Sequence, residues 1–316
     1  MKKIKKLVSA LCAAAVVMGL SACNSNAPYP NKEITMVVPF GSGGSTDLLA
    51  RTLAEPAGQA LGESVIVTNV SGASGTVGSA QVASSDPDGY NVMFVTSAPL
   101  TIQPYFMGGL TYTTENFTPI CNVASEPSCI AVAADSPYQT LEDLMNSEKE
   151  ISAGNTGVGT LHYLLQIEAF EQAGAEYKQV AFEGGAKLVT GLLGGNVDCI
   201  STVTSEINDY VDSGDMRILA ISSAERSELY PDIPTFAELG YDLDMSLDYF
   251  VVAPADLPED VFTALESAFE TAAMSDTVTE FLANSNVQPN YMDSETLAAK
   301  LASDSEQYQE IVASIQ

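Results

Sequence analysis

Between Ile34 and Ala57 the chain passes from an apolar pentapeptide through a turn of small residues into a helical pattern, and this order restricts the fold more than any other feature. Ile34-Thr35-Met36-Val37-Val38 reads as a buried parallel strand, and Leu48, Leu49, Leu53, Ala54 and Ala57 then recur at helical spacing. The turn from Pro39 to Ser45 holds Phe40 and the glycines at 41, 43 and 44, and Thr46-Asp47 opens the helix. Glycine permits positive φ and close backbone approach, and the first N–H groups of a helix have no intrahelical acceptor. Such a turn can therefore hold a carboxylate or phosphate without a basic side chain. Taken alone, it reads equally well as a β-α turn capped by Thr46 or Asp47.

The same alternation runs through most of the sequence. Ser64–Asn69, Asn91–Thr96, Ile130–Ala133, Ile151–Ala153, Tyr177–Ala181, Asp198–Val203 and Arg217–Ser222 read as strands. Helical patterns occupy Leu141–Asn146, Thr160–Ala173, Ala186–Leu193 and Glu206–Val211, and the C-terminal third adds a helix from Leu257-Pro258-Glu259 to Ala273, then Asp276–Ala283 and Ser294–Ile315. This is an α/β pattern, expected to form two lobes, each a mainly parallel sheet flanked by helices. Apolar runs beside Pro127 and Pro254 mark two strand crossings, at Glu126–Ile130 and Leu247–Pro254. The expected division is residues 29–128 plus 252–316 in lobe 1 and 129–251 in lobe 2. A cleft then lies between strand C-terminal ends, where open α/β sheets bind ligands.

Residues 1–22 carry four lysines, a short apolar stretch from Leu7 to Leu20 and small residues before Cys23, the pattern of an export signal. Leu20-Ser21-Ala22-Cys23 resembles a bacterial lipobox, which implies cleavage before Cys23 and a lipid on its thiol; residues 23–30 then suit a short tether. Loss of the leader leaves eight basic residues against 41 acidic ones, a formal charge of −33. That field excludes nucleic acid as a partner and makes any anion site local, built of aligned N–H groups. Cys121, Cys129 and Cys199 remain; Cys121 and Cys129 read either as a bridge between neighbouring strands or as buried thiols.

Three further small-residue clusters follow apolar runs. One spans Ser71 to Gly78, including Ser74 and Gly75; the next, 154–160, includes Thr156, Gly157 and Gly159 and precedes His162; the last, 182–186, includes Gly184 and Gly185. Ser97 closes the strand Asn91–Thr96 in the same way. Four such turns, two per lobe, are candidates for a clamp of backbone donors. Phosphate-loop, nucleophile-elbow and dinucleotide motifs are missing, and a single histidine rules out a two-His metal site, so no catalytic residue, cofactor or metal is assigned. The rival reading is a secreted hydrolase with Ser45 or Ser74 as nucleophile and His162 as base.

The segments VVPFGSGGSTDLLARTLAEPAGQALG, VIVTNVSGASGTVGSAQVASSDPDGYNVMFVT, VAFEGGAKLVTGLLGGNVD and MRILAISSAERSELYPDIPTFAELGY together resemble the substrate-binding proteins of tripartite tricarboxylate transporters, the Bug receptors. The resemblance runs from about Tyr29 to the C-terminus. It implies a type II periplasmic-binding-protein fold that closes on a small carboxylate and presents it to a permease with one large and one small integral membrane subunit; a sensing role beside a signalling partner is the alternative. The family's first loop falls on Pro39, Phe40, Gly43, Gly44 and Asp47, and its aromatic-x-Gly-Gly turn on Phe182, Gly184 and Gly185. Ser45, Ser74, Gly75, Ser97, Thr156, Gly157 and Gly159 complete the expected ligand site. Val70-Ser71 stands where the family has Arg-Pro, and Glu183 where Lys is common, which points to a ligand less anionic than a tricarboxylate.

Overall fold

The apolar pentapeptide forms β1 (Ile34–Val38), and its two neighbours, β2 (Val65–Asn69) and β3 (Asn91–Thr96), pair with it in parallel. The computed structural model describes residues 28–182, 184–227 and 229–315; the leader 1–22, Cys23, tether residues 24–27 and Glu183 lie outside these. The remaining strands are β4 (Phe117–Ala133), β5 (Ile151–Asn155), β6 (Tyr177–Ala181), β7 (Cys199–Val203), β8 (Met216–Ser222), β9 (Ser246–Pro254) and β10 (Gln288–Met292). The helices are α1 (Ser45–Leu61), α2 (Thr76–Ala83), α3 (Ala98–Thr101), α4 (Gln103–Phe106), α5 (Leu141–Met145), α6 (Leu161–Ala173), α7 (Gly185–Leu193), α8 (Asn208–Asp212), α9 (Glu259–Ala273), α10 (Asp276–Asn284) and α11 (Ser294–Ile315).

Strands β2-β1-β3-β9-β4-β7-β5-β6 follow one another in hydrogen-bonded order. The outer strands of each half are parallel, whereas β9, β4, β8 and β10 enter antiparallel, so each half is a mixed sheet. Both faces of β1 and β3 are covered. Ile34, Met36, Val38 and Phe94 pack into one core, while Val37, Met93 and Val95 pack into another on the opposite face. Burial on both faces is why these strands read as continuous apolar runs rather than alternating ones.

Strand β4 is the spine of the molecule. Its first part, Phe117–Pro127, pairs with β9, and its last part, Ser128–Ala133, pairs with β7 and β8 of the other half. The return passage falls just before Ser246, because β9 pairs with the first sheet over its whole length. The expected division between 251 and 252 thus lies inside β9. Nor does the C-terminal segment stay with one half: Leu297 and Leu301 of α11 sit in the first half's core, and Tyr308, Ile311 and Val312 in the second's. Both Cys121 and Cys129 lie on β4, roughly 26 Å apart at about 3.3 Å per residue, too far for a bridge. They and Cys199 are buried free thiols.

Candidate functional site

The loop from β1 to α1 is knotted by Asp47, which is 1% exposed. Its carboxylate accepts from the Gly43 N–H at 2.8 Å, from Asn69 Nδ2 at 2.8 Å and from Arg51 Nε at 3.1 Å. Asn69 also donates to the Phe40 carbonyl at 3.1 Å, which ties the loop to the end of β2. Burial pushes the Asp47 carboxyl up, but these donors and the Arg51 charge outweigh it and hold the group at about 2. Asp47 is therefore a satisfied anchor for the loop, and Phe40 is what the loop presents.

Above Phe40 the strand ends of both halves converge on a cavity of about 290 Å³. The first half contributes Phe40, Thr46, Ser74, Thr96, Ala98, Pro99 and Gln103; the second contributes Thr156, Thr160, Leu161, His162, Gly184, Gly185 and Glu206, and Leu247 of β9 closes the wall. Gly75 supports it from beneath: its φ is +91°, and a Cβ there would meet Pro99 Cγ at 2.8 Å and the Phe40 ring at 3.3 Å. Ser74, which lines the cavity, holds φ +53°, an uncommon value for a residue other than glycine.

Of the expected residues, Phe40, Ser74, Thr156, Gly184 and Gly185 line this cavity. The others do not. Gly43 donates to Asp47, Gly44 caps α1, and Ser45 lines a second cavity of about 370 Å³ beside Tyr249. The Ser97 hydroxyl accepts from the Asp248 N–H at 3.3 Å, the Gly157 N–H donates to Asn155, and the Gly159 carbonyl accepts from Gln103 Nε2 at 2.8 Å. That last bond joins the two halves at the rim. Thr96, Gln103 and Glu206 were not singled out by the sequence, Thr46 only as a helix cap and Thr160 only as the end of the third cluster, although Thr96 and Glu206 follow the same strand-end rule, at the ends of β3 and just past β7.

His162 is 6% exposed and neutral, because burial lowers its pKa to about 4. Its Nδ1 lies 3.2 Å from Thr156 Oγ1, and its Nε2 has no protein partner. Thr156 Oγ1 also lies 3.4 Å from Thr160 Oγ1, whose own hydrogen goes to the Gly157 carbonyl; when the Thr156 hydroxyl turns to Nδ1 instead, Nε2 carries the ring hydrogen and can donate to an oxygen in the cavity. The hydroxyl on His162 Nδ1 is that of Thr156, not of Ser45 or Ser74. Among the described residues, Glu206 is the one charged side chain in the wall. Thr202 Oγ1 donates to its Oε2, and burial raises its pKa. Both carboxylate oxygens press on Gly185 at the start of α7, so that a Cβ at Gly185 would collide with them.

Two mixed α/β halves, joined by long strands and enclosing at their strand ends a largely apolar cavity with a few polar groups, define a periplasmic solute-binding protein. The description "Tripartite tricarboxylate transporter family receptor" matches residues 49–316, and the chain belongs to that family. Protein BugT of Bordetella pertussis is 32% identical over 86% of this chain and 85% of its own length. The solved periplasmic binding protein BugD is 29% identical, with a TM-score of 0.78 over 90% of this chain and 98% of its own. A Rhodopseudomonas palustris protein solved with adipate is 25% identical, with a TM-score of 0.80 over 90% of this chain and 97% of its own.

Proposed function

We propose that this chain is a solute receptor that captures a small carboxylate in the cavity between its halves and passes it to a permease of one large and one small integral membrane subunit. Lipid on Cys23 would hold it at the outer face of the cytoplasmic membrane. The observation that carries the binding claim is the unpartnered Nε2 of neutral, buried His162 in the first turn of α6, inside the cavity. A donor at a helix N-terminus stabilises a carboxylate together with the local dipoles, which suits a protein of this net charge. The adipate-bound relative supports the same ligand class. Calorimetry against small mono- and dicarboxylates tests it: binding tighter than about 0.1 mM is expected, and binding of none of them, with another solute class bound, sinks the carboxylate claim. For the anchor, Cys23→Ser is expected to move the protein from the membrane fraction to the soluble one.

A further inference from the structure

A carboxylate in the wall of a cavity built for carboxylates calls for an explanation. Five features bear on it. Glu206 is the one charged side chain among the described residues lining the space. No lysine or arginine among them opposes it there, and the chain as a whole carries a formal charge of −29. Its carboxylate fills the space that a Cβ on Gly185 would take, at the N-terminus of α7, so an internal anion already stands beside that helix end. The glycine at 185 is what permits that approach. Finally, the second polar pole of the cavity, His162 Nε2 in the first turn of α6, remains without a protein partner.

We propose that Glu206 is a specificity-determining residue that receives a cationic nitrogen of the ligand, so that the cavity selects small amino-carboxylates over carboxylates that lack the ammonium group. The ligand's carboxylate sits at His162 and the start of α6, and its ammonium at Glu206. A half-buried carboxylate costs free energy that a ligand cation offsets, whereas a plain dianion meets like charge at that pole. This rests on the carboxylate reading above and adds a second charge to the ligand.

Calorimetry on the purified protein at pH 7 with matched pairs, L-aspartate against succinate, L-glutamate against glutarate and L-leucine against 4-methylpentanoate, reads the two claims separately. In at least one pair the amino member is expected to bind tenfold or more tightly, and Glu206→Gln is expected to remove that preference while leaving a cooperative melt. Should Glu206→Gln fail to fold, Glu206→Ser, which empties the pole without placing a new group on Gly185, carries the same expectation. Equal or better binding of the member without nitrogen overturns the amine claim and leaves the carboxylate reading standing; so does a preference that survives both substitutions. Binding of neither member in any pair overturns both.

Discussion

At the scale of single residues, the structure separates side chains that build the site from those that touch its contents. Asp47 is of the first kind, and removing it strands the Gly43 N–H and the Asn69 amide. Asp47→Ala is expected to cost about 2–3 kcal/mol, read as a lower urea midpoint at pH 7. The pH dependence has a definite sign. A carboxyl held at about 2 in the folded protein, against an ordinary value of 3.8, contributes stability above about pH 4 that is lost as pH falls toward 2. The stability gap between wild type and Asp47→Asn should therefore close across that window; a gap unchanged at pH 2.5 would remove the anchor role. Gly75 is the second case, where a Cβ meets Pro99 and Phe40 in a backbone conformation that L side chains avoid. Gly75→Ala is expected to lower stability by about 1–2 kcal/mol, and to weaken ligand binding by displacing Phe40. Calorimetry and a thermal melt on the same sample check both effects.

At the scale of elements, what the sequence announced was whatever burial on two faces or helical periodicity writes plainly. Strands β1, β3 and β6 and helices α9 and α11 lie where their patterns place them, most other expected elements differ by a few residues at their ends, and α2, α3 and α4 were not expected. Strand β4 was legible only at its end, Ile130–Ala133, because Pro119 and Pro127 interrupt it and its burial switches sheets midway. Strand β10, with its proline and exposed first residues, left no apolar run at all. The site was half legible for a related reason: glycine turns mark where strands end, but a turn can serve another turn, as Gly43 does. Glu206 was hidden among 41 acidic residues, and only its contact with Gly185 distinguishes it. Helix α11 was read correctly as a helix, but its two-core role appears only in packing. Lys300 pairs with buried Asp248 at 3.3 Å and with Asp304 at 2.9 Å, and Tyr308, 1% exposed, fills the second core. Tyr308→Ala is expected to cost about 3–5 kcal/mol and to raise hydrogen exchange in α6 as well as α11. Exchange confined to α11 would mean that the helix is not shared.

At the scale of the whole molecule, the two halves meet through a carboxyl that burial keeps from ionising easily. Glu126, 1% exposed on β4, accepts from Ser205 Oγ of the second half at 2.6 Å and from Tyr249 OH of β9 at 3.0 Å. Burial chiefly, with the negative charge of nearby Glu206 adding to it, raises its pKa to about 7, while the two hydroxyl donors pull the other way. An acid with a raised folded pKa favours the fold at low pH: its contribution is complete below about 4.5 and is lost as pH rises through about 7. Buried His162 titrates with the opposite sense. Its folded value of about 4 lies below the ordinary 6.5, so its contribution is present above about pH 6.5 and is lost as pH falls through that window. The two partly cancel in the wild type, and a flat profile there says nothing about either. The difference between Glu126→Gln and wild type isolates the carboxyl. Glutamine keeps the oxygen that accepts from one hydroxyl and cannot ionise, so the variant should gain on wild type by up to about 3 kcal/mol between pH 5 and pH 8. Urea midpoints at those two values decide it. If the difference between the two proteins is the same at both, Glu126 is ionised throughout and the halves are joined by a charge rather than by a protonated acid.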